Sequence, residues 1–139
     1  MERLLLALAI AVVAAAVAIV LRRRRPDAPM RSSGRIPEQL DRADFAEPGK
    51  PWLVVVFASA TCESCADVRA KADVLASDDV AVVVSEYPSD SATHERYRID
   101  AVPLVVIADA DGVVRRSFLG PVTATDLWAG VAAARAAKG

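Results

Sequence analysis

Histidine and cysteine are scarce in this chain, and the scarcity narrows its chemistry. The 139 residues hold one histidine, His94, and two cysteines, Cys62 and Cys65. A closed structural zinc site needs four ligands. This set supplies part of one, and only two copies together would complete it. Two cysteines at short spacing are not a disulfide framework; they read as redox or metal chemistry. Aromatic residues make up only 5% and the net charge is −1. Few aromatics and an acidic stretch from residue 41 onward give no support for nucleic-acid binding, and no such partner is expected. There is no internal repeat.

The near-zero charge hides an asymmetry. Residues 1–40 carry seven arginines against three acids, a net +4. Residues 41–139 carry ten Lys and Arg against fifteen Asp and Glu, a net −5. The basic excess follows an unbroken apolar run from Leu4 to Leu21, 18 residues at the lower edge of what spans a bilayer as a helix. A cleaved signal peptide is the alternative. Against it, only Met1-Glu2-Arg3 precedes the run, and Arg22–Arg25 stands where a small-residue cleavage site belongs. The sequence predicts a single-pass membrane anchor with its basic flank over 1–25. The positive-inside rule places Arg22–Arg25, and the domain behind them, on the cytoplasmic side. Residues 26–37, with Pro, Ser, Gly and Arg, read as a flexible tether. Residues 38–139 suffice for one small domain.

In that domain Ile36 to Leu40 can start a short strand, and Asp41 can cap a helical turn through Phe45. Trp52 to Ala58 is apolar without alternation, as in a strand buried on both faces. A helix from near Cys62 follows, with Cys65, Val68, Ala72 and Leu75 at helical spacing. Val80–Val84 and Leu104–Ala108 are further buried strands, with a short helix over Ser91–Tyr97 between them. Asp109-Ala110-Asp111-Gly112 is a hairpin turn into a more polar strand, Val113–Leu119. Thr123 and Asp126 make a candidate capping box for a last helix to about Ala137. Its expected buried face is Leu127, Trp128 and Val131. Trp52 and Trp128 are expected in the core, and His94 on the solvated surface. The order implies an α/β sandwich whose mixed sheet has one parallel βαβ unit and one antiparallel hairpin.

The cysteines fall between the first strand and its helix. A helix starting near Cys62 would put that thiol in the field of unpaired N–H groups and lower its pKa. Cys65, one turn on, would be the more covered partner. Cys62 then attacks a substrate disulfide and Cys65 resolves the mixed disulfide.

A C-x-x-C pair between a buried strand and a helix in a βαβ context resembles the thioredoxin family. Arg96-Tyr97-Arg98-Ile99-Asp100-Ala101-Val102-Pro103 is similar to the stretch before the family's cis-proline. Asp111-Gly112, Gly120 and Thr123 match its hairpin turn, the glycine after its last strand and the cap of its final helix. The resemblance covers residues 35–137. It implies a thioredoxin-like mixed sheet flanked by helices, a cis Pro103, and a backbone at Val102 that hydrogen-bonds a substrate chain. Thr61, where the family has tryptophan, joins Val102 and Pro103 as a candidate substrate-binding residue.

Departures accompany the likeness. Glu63-Ser64 replaces the family's Gly-Pro, and Glu63 puts a negative charge beside the nucleophile, which opposes the helix field. Val56 stands where the family has a buried acid, so that proton route to Cys65 is missing. The expectation is a membrane-anchored thiol–disulfide oxidoreductase acting on protein disulfides, with no bound cofactor and with electron donor and direction left open. The rival is a non-catalytic thioredoxin-like binding module.

Overall fold

Leu, Ala, Val and Ile fill residues 4–21, and they form the helix α1, Glu2–Arg23. The computed structural model describes residues 1–23 and 34–138. The chain divides into two units, 1–32 and 33–139. In the first, Glu2–Val20 is long and apolar enough to cross a membrane, with a mean hydropathy of 2.7. Arg24, Arg25 and the expected tether up to residue 33 lie outside the described residues.

The second unit is built on β1, Trp52–Ser59, of which seven residues are buried and the last is half-buried. That explains the missing alternation: both faces of this strand are covered. β1 runs parallel to β2, Val80–Tyr87, and antiparallel to β3, Leu104–Ala108. β3 pairs antiparallel with β4, Val114–Leu119, giving the order β2-β1-β3-β4. The helices are α2 (Cys65–Asp73), α3 (Ser91–Arg96) and α4 (Ala124–Lys138). The parallel βαβ unit and the antiparallel hairpin therefore lie where the element order puts them.

Alternate residues of β1 feed two cores. Val54 and Val56 pack with Val68 and Ala72 of α2 and with Leu127 and Val131 of α4. Leu53, Val55 and Phe57 pack on the other face with Leu40 and Phe45, under Tyr97 and Ile99. The hairpin turn holds Gly112 at φ +80°, where a Cβ would lie 1.9 Å from the Leu40 carbonyl oxygen. Only glycine fits there.

Several expectations change. The strand over 36–40 shrinks to a single bridge, Gln39 to Val113, and the 3₁₀ turn Arg42–Asp44 capped by Asp41 follows it. The capping box of α4 is half formed: Thr123 Oγ1 accepts from Asp126 N–H at 3.1 Å. Trp128 is 47% exposed. Leu127, Val131 and Ala134 form the buried stripe of α4, and Trp128 falls one position, about 100°, to its side. His94 is buried rather than solvated, at 5% exposure. Its Nε2–H donates to the Ser85 carbonyl at 2.9 Å, and its ring meets the edge of Phe57 at 5.5 Å. A carbonyl only accepts, so that contact fixes which ring nitrogen carries the proton.

Candidate active site

The chain leaves β1 through a tight turn. Ala60 N–H donates to Tyr87 O at 3.0 Å, and Cys62 N–H to Ser59 O at 3.1 Å. The helix starts at Cys65, not near Cys62. Ser64 is its N-cap, and the Ser64 carbonyl accepts the first helical bond from Val68 N–H at 3.2 Å. Cys62 thus precedes α2. The expected position of Cys62 at the helix N-terminus itself is therefore not met: it lies three residues before the first helical residue.

Cys62 and Cys65 are joined by a disulfide, with 5.5 Å between their Cα atoms. Cys65 is 4% exposed while Cys62 is half-buried. The sulfur nearer solvent is the one that an incoming thiolate reaches. The Ser64 hydroxyl makes no capping hydrogen bond and lies 3.8 Å from Cys62 Sγ. The sequence marks Ser64 only as a departure from the family's Gly-Pro; its contact with Cys62 shows once the cap geometry is known.

The register of the sheet brings the second part of the site. Phe57 pairs with Leu104, so two residues further along β1 Ser59 comes beside Val102. The Val102–Pro103 bond is cis, and the buried Pro103 anchors its carbonyl on Gly120 N–H at 2.8 Å. Among the described residues, Val102 N–H and C=O make no backbone hydrogen bond. On the other side of β1, Ser59 pairs with Tyr87, and Tyr87–Pro88 is also cis. The end of β1 is therefore flanked by two cis-proline bonds. In the sequence alone, Pro88 reads only as a strand breaker.

Thr61 is exposed, with its hydroxyl 3.1 Å from that of Ser59, and Glu63 is exposed as well. Val56 is fully buried on the α2 side of β1, among apolar residues. Tyr97 ties α3 to the 3₁₀ turn. It donates to Asp44 and accepts from Asp41 N–H at 3.0 Å, and Arg96 pairs with Asp44 at 3.0 Å. Burial, and then donation to Asp44, hold the Tyr97 phenol above its ordinary range. Among the described residues no cluster of three or more His, Cys, Asp or Glu is placed to hold a metal ion.

No protein-family model and no curated protein sequence matches the chain. Solved structures do. A mutant form of a thioredoxin from Halobacterium salinarum superposes with a TM-score of 0.54 at 19% identity, over 62% of this chain and 76% of its own. Chloroplastic thioredoxin z gives 0.56 at 21% identity, over 63% and 80%. A malarial protein gives 0.55 at 13% identity, over 60% and 97%. The fold is thioredoxin-like. That fold carrying a Cys-x-x-Cys disulfide is the framework of a redox site.

Proposed function

We propose that the chain is a membrane-anchored thiol–disulfide oxidoreductase that exchanges protein disulfides. The observation that carries the reading is the unequal cover of the disulfide. Half-buried Cys62 and buried Cys65 stand at the end of β1, beside the cis bond of Val102–Pro103. Cys62 is the nucleophile: its thiolate attacks a substrate disulfide and forms a mixed disulfide. Cys65, held at the first position of α2, attacks Cys62 Sγ and releases the reduced substrate. The unbonded backbone of Val102 receives the substrate chain, over the floor made by Pro103, and Thr61 borders it. Two of the structural neighbours are thioredoxins, which favours a protein substrate. The α1 helix anchors the domain and confines it to substrates near the bilayer. The arginines after α1 favour the cytoplasmic side for the domain.

Replacing Cys65 by Ser removes the resolving thiol and leaves the mixed disulfide standing. In cells, C65S is expected to accumulate covalent partners that non-reducing electrophoresis resolves and a dithiol reductant releases. Cys62→Ser is expected to trap none. Absence of trapped partners, with no turnover of a protein disulfide by the parent chain, would favour the binding module.

A further inference from the structure

A hollow of about 180 Å³ opens beside the disulfide. It owes its existence to small side chains. Ala58 at the end of β1 and Ala66 in the first turn of α2 line it, where larger residues would close the gap between helix and sheet. Cys62 and Cys65 line it too, so a molecule seated there meets the bridge. Two charges stand on its walls. Arg69 lies one turn beyond Cys65 on α2. Glu86 is paired in register with Ala58. Among the described residues neither side chain makes a hydrogen bond or ion pair.

The volume decides the size of the occupant. Sites for drug-sized molecules run to roughly 300–1,000 Å³, so this one takes a group of amino-acid size. The chemistry of the walls decides its class. A cation and a carboxylate beside a reactive disulfide match a short molecule bearing a carboxylate, an ammonium group and a thiol. We propose that the hollow binds amino-acid thiols and their disulfides, and that Cys62–Cys65 exchanges with them. The inference rests on reading the pair as an exchanger and adds a second, small class of redox partner. Arg69 holds the carboxylate and Glu86 the ammonium group.

The reaction balances with two ligand thiols. The first, as thiolate, attacks Cys62 Sγ; a ligand–Cys62 bond forms and the Cys62–Cys65 bond breaks. Cys65 leaves as thiolate and takes up, through water, the proton that the ligand lost. A second ligand thiolate attacks the ligand sulfur of the mixed disulfide. Cys62 leaves as thiolate and is protonated in turn, and the ligand disulfide departs. Two ligand thiols give up two electrons, and the protein disulfide gains them. In reverse, the ligand disulfide oxidises the dithiol.

The test uses the oxidised full chain in detergent micelles and follows reduction of the bridge by four thiols. Cysteine carries both charged groups, 3-mercaptopropionate only the carboxylate, cysteamine only the ammonium, and 2-mercaptoethanol neither. Wild-type-to-variant ratios cancel the intrinsic reactivity of each thiol. Relative to mercaptoethanol, Arg69→Gln is expected to slow cysteine and mercaptopropionate about fivefold and to spare cysteamine. Glu86→Gln is expected to slow cysteine and cysteamine by a similar factor and to spare mercaptopropionate. Fivefold is the size of one partly exposed ion pair. Equal ratios for all four thiols in both variants would overturn the proposal. If C65S still traps protein partners in that case, the exchange reading stands and only the hollow's role is lost. If dithiothreitol reduces the bridge but neither small thiols nor protein disulfides exchange with it, both readings fall.

Discussion

Residue by residue, the site is defined as much by what surrounds the sulfurs as by the sulfurs themselves. Val56 is the clearest case. It is fully buried among the apolar residues under α2. An acid at this position would lack a charged partner there, so burial would hold it neutral and raise its pKa. The pH dependence of Val56→Asp follows. Free aspartate ionises near pH 3.9, so in the unfolded variant it is charged at neutral pH, while the folded variant keeps the proton. Folding then takes up a proton. Its cost grows by about 1.4 kcal/mol per pH unit as pH rises from the unfolded value toward the raised folded one. V56D is expected to lose about 3–5 kcal/mol at pH 7 and to recover most of it near pH 4. Denaturant titrations of both proteins at several pH values measure this. A deficit that does not change with pH would mean that the loss is one of packing alone. The wild-type valine shows that this chain keeps its cysteine platform stable without that carboxylate.

Among the elements, α3 has an influence beyond its six residues. Tyr97 closes it and is pinned to the 3₁₀ turn through Asp44 and Asp41, and Val102 follows five residues later. Tyr97→Phe removes both hydrogen bonds, with an expected loss of about 1 kcal/mol at neutral pH. Exchange with a protein disulfide should slow more than reduction by dithiothreitol, because only the former is proposed to use the Val102 backbone. The phenol's pKa is raised on folding, so its stabilisation is complete below the unfolded value near pH 10 and fades as pH rises past it. Stability curves of Y97F and wild type should therefore converge above pH 10; parallel curves would contradict the assigned phenol environment. Much of this architecture is legible in the sequence because its signals are local. The apolar run of β1, the Asp111-Gly112 turn and the Cys-x-x-Cys spacing each carry their meaning within a few residues. What stays hidden depends on distant partners. His94 is buried because Phe57 and the Ser85 carbonyl come to meet it. The start of α2 is not legible because it hangs on one carbonyl, that of Ser64. The hollow beside the disulfide exists only when β2 brings Glu86 into register with Ala58.

At the scale of the whole molecule, the charge pattern favours one side of the membrane for the proposed redox pair. The apolar run Leu4–Leu21 within α1 is followed by Arg22–Arg25, while Glu2 and Arg3 stand before it. Lys and Arg within about 15–20 residues of a span set its orientation, and acids count for little. Four arginines after the span outweigh one arginine and the amino terminus before it, so the anchored reading puts the acidic domain in the cytoplasm. There glutathione and thioredoxin systems keep most thiols reduced, so on the proposed reading the Cys62–Cys65 disulfide would turn over rather than persist. Two labelling experiments test the inference. In intact cells treated with a permeant reductant, an impermeant maleimide is expected to leave Cys62 unmodified, and to label it once the cells are lysed. Exchanging the flanks, with Arg22–Arg25 made neutral and four arginines placed before Leu4, should invert the chain and expose Cys62 to the same reagent from outside. Labelling of the parent chain in intact cells would refute the cytoplasmic placement and move its substrates to exported proteins. An inverted variant that still resisted labelling would show that these charges do not set the orientation.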